Sequence, residues 1–179
     1  MSPSRKLQTK HLALSSVLSA LGVILLYLGS ILQLLDLTMV AIASLIVTFA
    51  VIEMKGRYPL MIWGVTSFLS LLLLPDKFGA LCYFLLCGFY PILKPHLDRL
   101  PRLWGVLLKL IGFNLLLSAM LAAAVFLFHM PEEEIGLTWL FYPLGNLAFF
   151  LYDLAMSRLT VLYFLRLRRM LRIDRYLGG

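Results

Sequence analysis

Uninterrupted apolar runs of close to 20 residues constrain this chain more than any other feature. Residues 12–30, LALSSVLSALGVILLYLGS, carry no charge over about the length an α-helix needs to cross ~30 Å of hydrocarbon. Similar runs recur to the end of the chain. Hydrophobic residues make up 61% and charged residues 14%, with a mean hydropathy of +0.93, whereas soluble domains run near half apolar and a quarter charged. Lipid, not water, is the solvent this composition suits.

The runs predict an all-α, polytopic membrane helix bundle with about six transmembrane helices, at 12–30, 37–54, 59–75, 78–95, 103–128 and 136–158. Short connectors rich in Pro, Gly and charge separate them: LQLLDL around Asp36, EMKGRY around Lys55, Pro75-Asp76-Lys77, KPHLDRLPR at 94–102 and HMPEEE at 129–134. No long linker, low-complexity segment or repeat divides the chain, so residues 1–179 read as a single transmembrane domain. Pro91, within GFYPILKP, is expected to free a backbone carbonyl and kink the fourth helix near its end.

Lysine and arginine give the predicted bundle a direction. One set of helix ends holds Arg5, Lys6, Lys10, Lys55, Arg57, Lys94, Arg99, Arg102, Arg166, Arg168, Arg169, Arg172 and Arg175, and the other holds Lys77 alone. Positive loops are retained in the cytoplasm, so both termini are expected there, in a multi-pass protein of a bacterial inner membrane. The opposite ends carry Asp36, Asp76 and Glu132 to Glu134. The tail at 159–176 alternates leucines with arginines and suits a basic amphipathic helix at the headgroups. Trp104 and Trp139 fall near opposite faces as aromatic anchors. The net charge of +7 lies at helix ends rather than on a polar domain, so the expected partner is the lipid bilayer and not nucleic acid.

Ionisable groups inside the hydrocarbon are the strongest functional pointers, because an unpaired charge there is costly. Lys109 falls roughly 9 Å into the fifth helix from the basic end, and Asp153 about 25 Å into the sixth from the other end, which is a shared depth. The same arithmetic sets Asn114 and Asn146 together near the midplane. Lys109–Asp153 is therefore expected as an intramembrane charge pair, with Asn114–Asn146 as a second polar rung. Such rungs either fix the register of two antiparallel helices or, with Trp139 and Tyr142 above Asn146, line an outward-facing substrate-binding pocket.

Other chemistry is missing. Cys82 and Cys87 are five apart in an apolar run and read as small core residues. His11, His96 and His129 are scattered, so neither metal nor cofactor is expected. With no HExxH, GxSxG or Walker motif, the chain does not read as an enzyme. The basic start MSPSRKLQTKH resembles the opening of a signal peptide, but no small-x-small site ends the apolar stretch, so the first helix is expected to stay.

Helix 1 carries Ser16-x-x-x-Ala20 with Gly22, a flat side that permits close helix contact. This pattern, a cytoplasmic N-terminus leading into it, and ALCYFLLCGFYPIL at 80–93 resemble the substrate-binding S components of energy-coupling factor transporters. The resemblance implies capture of a vitamin or other micronutrient on the outer face. It also implies docking through Ser16 and Ala20 to a transmembrane coupling subunit, with import driven by ATPase subunits. The full Ala-x-x-x-Ala pattern of that family is not present, and no vitamin-specific residue set is recognisable. The rod-shape membrane protein family has a similar fold and offers the alternative of a non-catalytic scaffold in envelope assembly.

Overall fold

The computed structural model describes residues 3–32, 36–54, 56–128, 138–163 and 165, and every regular element among them is helical. In chain order these are α1 (Pro3–Leu32), α2 (Asp36–Glu53), α3 (Tyr58–Leu73), α4 (Lys77–Cys82), a π-helical turn (Tyr83–Cys87), α5 (Tyr90–Leu97), α6 (Arg102–Phe128) and α7 (Thr138–Leu162). Gln8–Leu32, Asp36–Glu53, Lys77–Leu97 and Leu103–Ala123 are long and apolar enough to cross a membrane. α3 is apolar but only 16 residues long. α7 has 25 residues, but Asn146, Asp153 and Arg158 dilute its apolar run. Of the tail expected at 159–176, residues 159–162 continue α7, and 164 and 166–176 lie outside the described residues.

α2 occupies the middle of the bundle. It packs against α1 and α3 on one side and against α4, the π turn, α5 and α7 on the other. Small side chains make the first of these seams. The buried face of α1 runs through Ser15, Ser19, Gly22, Leu26 and Ser30, and packs on α2 and α3, whose buried residues include Val40, Ala43 and Val47, and Thr66, Ser67 and Ser70. Helices in lipid gain little from burying apolar surface, so close backbone approach and dispersion hold such seams together. Gly22 shows how close: a Cβ there would sit 3.0 Å from Thr66 Cγ2. Thr66 Oγ1 donates across the seam to the Ser19 carbonyl at 3.4 Å, while two seam hydroxyls bond backward along their own helices, Ser15 Oγ to the His11 carbonyl at 2.8 Å and Ser70 Oγ to the Thr66 carbonyl at 2.6 Å. Neither therefore needs water.

Two capping arrangements close the acidic end of the bundle. Asp76 accepts from the amides of Phe78 and Gly79, both at 3.1 Å, and so starts α4. Lys77 donates to the Leu71 and Leu74 carbonyls at 2.9 and 2.6 Å, covering the C-terminus of α3. α6 and α7 form an antiparallel pair on the far side of the bundle, set against the π turn, α4 and α5.

Candidate functional site

In the fourth apolar run a π turn interrupts the helix between α4 and α5, next to the Pro91 expected to kink it. The Gly88 amide reaches back five residues to the Tyr83 carbonyl at 2.7 Å, and Pro91 falls in the first turn of α5 rather than inside a continuing helix. Both irregularities strand a backbone carbonyl that a regular helix would satisfy. Gly88 no longer serves Phe84, whose carbonyl accepts from Trp63 Nε1 at 3.1 Å. Pro91 has no N–H for Cys87, whose carbonyl accepts from the Tyr152 hydroxyl at 3.0 Å. That hydroxyl also lies 2.8 Å from Ser44 Oγ on α2. Side chains from α3 and α7 thus complete the broken helix. Glycine is required at 88, because a Cβ would come within 2.7 Å of the Tyr83 carbonyl oxygen and 2.8 Å of Trp63 Cδ1.

Beside the break lies a cavity of about 680 Å³, walled by α2, the α4–α5 segment, α6 and α7. Its wall includes Leu86, Phe89, Phe113, Leu117, Met120 and Phe149. Phe113 and Phe149 stack with ring centroids 4.4 Å apart, and Tyr90 meets Phe149 edge-on at 5.0 Å. These rings brace α5, α6 and α7 around the space. Irregular backbone at membrane depth is tolerated where it is buried or lines a cavity, and interrupted helices mark the binding sites of many transporters.

The cavity ends at a charged cluster. Asp153 on α7 accepts from the Tyr90 hydroxyl at 2.5 Å, from Lys94 of α5, and from Lys109 of α6 at 3.3 Å. Lys109 also donates to Asp98 at 2.6 Å, and Lys94 lies 3.8 Å from the same carboxylate. Two cations and two anions therefore tie three helices together at the basic end. Each lysine side chain is only 12% exposed, and each has two carboxylates in reach, which is the condition for holding charge away from water.

One turn and more toward the midplane, Asn114 and Asn146 exchange reciprocal hydrogen bonds, both 2.9 Å. Their remaining amide protons go to the carbonyls of Leu110 at 2.8 Å and Tyr142 at 2.7 Å. The Tyr142 hydroxyl lies 2.8 Å from Ser118 Oγ. Polar capacity is thus used between α6 and α7. Asn114, Tyr142 and Asn146 are absent from the described cavity wall, and the Trp139 side chain lies outside the described residues.

No family model, no curated protein and no solved structure matches the chain.

The structure brings Lys109 to Asp153 and Asn114 to Asn146, and adds Tyr90, Lys94 and Asp98, which sequence reading left out. Lys94 falls at the end of the fourth helix expected over 78–95, and α5 carries it inward to Asp153, while Asp98 follows as the cap of that helix. Ser16 and Ala20 are exposed on α1, whereas Gly22 belongs to the internal seam, so the flat side expected of these three divides between two faces. Cys82 is buried and Cys87 half-buried, both as free thiols on the cavity wall. The cavity itself was not foreseen. Its signal was the Gly88–Pro91 interruption of an apolar run, which read only as a kink.

Proposed function

We propose that the chain is a six-crossing inner-membrane protein with both termini in the cytoplasm, acting as the ligand-binding subunit of an energy-coupling-factor-type importer. The cavity beside the helix break carries the reading. At about 680 Å³ it falls in the range of small-molecule sites, ~300–1,000 Å³. The orientation is supported by Lys and Arg, thirteen of which fall at one set of helix ends. On this reading α3 and α7 cross with the four more apolar spans, the small-molecule ligand sits among α2, the α4–α5 break, α6 and α7, and Ser16 with Ala20 offers the coupling subunit a flat docking face. The chain needs no metal or cofactor of its own, and ATP hydrolysis belongs to its partners.

Purification from the native membrane in mild detergent, followed by mass spectrometry of bound proteins and small molecules, tests this. Stoichiometric recovery of a small molecule together with an ATPase pair, the pair lost in Ser16→Leu/Ala20→Leu, is the expected result. Recovery of cell-envelope synthesis proteins with no ATPase would overturn it in favour of the rod-shape type of scaffold.

A further inference from the structure

The cavity wall has little to offer a water-soluble ligand. Its polar side chains include Lys109, Tyr90 and Tyr152, and each is already engaged: Lys109 with Asp98 and Asp153, Tyr90 with Asp153, Tyr152 with the Cys87 carbonyl. A polar molecule entering here would shed water and find no free partners. The wall is also long. On α6 alone it runs from Leu108 to Met120, roughly 18 Å at 1.5 Å per residue.

The space is open rather than sealed, and Leu37, Leu93, Leu108 and Leu144 of its wall are exposed. Gly112 is the gap in the α6 wall, and a Cβ built there meets nothing within 4 Å. Elsewhere the α6 part of the wall carries Lys109 together with Leu, Phe and Met, so glycine at 112 leaves room at mid-wall. The sequence at the basic end carries surplus positive charge: segment 94–109 contributes Lys94, Arg99, Arg102 and Lys109 against Asp98, and among the described residues the charged cluster adds the acid Asp153 of α7.

We propose that the cavity is a lateral binding site for an acyl chain of an anionic phospholipid, admitted from the bilayer between helices, with the headgroup at the basic end. This rests on the binding-subunit reading and names its ligand class. Hydrocarbon fills the long apolar wall without hydrogen bonds, and an anionic headgroup is drawn to surplus positive charge. The ligand comes from the membrane rather than from the water outside it.

The test uses full-length protein in vesicles containing a phosphatidylglycerol with a diazirine in its acyl chain, photolysed and mapped by peptide mass spectrometry. Adducts are expected on wall residues such as Leu86, Phe89 and Leu116. Gly112→Phe should lower them about tenfold, the size of one lost interaction of about 1.4 kcal/mol. Labelling of the outward residues Ile111 and Leu115 should not change. A phosphatidylcholine carrying the same diazirine should label the wall less. Leu116→Trp is a second blocking variant should Gly112→Phe lose its helical circular dichroism, and the wild-type map decides independently of both.

Adducts spread evenly over outward faces, or equal wall labelling from the two lipids, would overturn the proposal. A stoichiometric polar compound lost in Gly112→Phe would also overturn it while leaving the binding-subunit reading intact. Wall labelling as expected, with no ATPase pair on purification, would instead refute the importer and leave the lipid site standing.

Discussion

Replacing Asp153 with alanine removes the acceptor on which α5, α6 and α7 converge. Lys94 would keep Asp98 at 3.8 Å and the backbone carbonyl of residue 153 at 3.5 Å, Lys109 would keep Asp98 at 2.6 Å, and the Tyr90 hydroxyl would lose the partner it holds at 2.5 Å. Breaking a buried ion pair by removing one member costs ~3–5 kcal/mol. The Asp153 side chain is 26% exposed and Asp98 remains in place, so about 2–3 kcal/mol is expected here. That is roughly a 30- to 150-fold shift in the unfolding equilibrium. Asp98→Ala is the internal control: its side chain is 47% exposed and Asp153 still holds both lysines, so the loss should stay below about 1 kcal/mol. Titration with sodium dodecyl sulfate in mixed micelles, followed by far-ultraviolet circular dichroism, measures both. Adding Lys94→Met to Asp153→Ala should recover part of the loss, because the cation left with a carboxylate no nearer than 3.8 Å goes with it. If Asp153→Ala lies within about 0.5 kcal/mol of wild type, or costs less than Asp98→Ala, the cluster does not hold the three helices as argued.

Tyr152→Phe leaves the Cys87 carbonyl without its donor and should cost about 1–2 kcal/mol in the same titration, with no loss of helical content. Gly88→Ala drives a Cβ against the Tyr83 carbonyl and Trp63 and should destabilise by about 1–3 kcal/mol; an unchanged melting midpoint by size-exclusion fluorescence would rule out the close approach. Asn114→Leu and Asn146→Leu should each cost about 1 kcal/mol and the pair less than their sum, giving a coupling near the ~0.6–1.7 kcal/mol known for membrane hydrogen bonds. Additive losses would mean that the two amides do not act as a pair.

Apolar run length determined the helical class, because the demand for internally bonded backbone in lipid acts on the sequence locally, and the Lys/Arg distribution supplies the direction proposed for it. Depth arithmetic likewise set Lys109 opposite Asp153 and Asn114 opposite Asn146, which stand 3.3 and 2.9 Å apart in the structure. An antiparallel pair with one short connector leaves little freedom in register. Rotation about each helix axis was beyond that arithmetic. It turned Asn114 and Asn146 toward each other, and left Ser16 and Ala20 exposed while Gly22 went inside. Nor could the sequence say who rescues the carbonyls freed at Gly88 and Pro91. Trp63 and Tyr152 do so from 21 and 65 residues away, and only the packing of α3 and α7 against the break decides that. The cavity belongs to the tertiary structure for the same reason: a wall shared by four segments is nowhere contiguous in the chain, and an apolar residue reads alike whether it faces a neighbour, a lipid or an empty space.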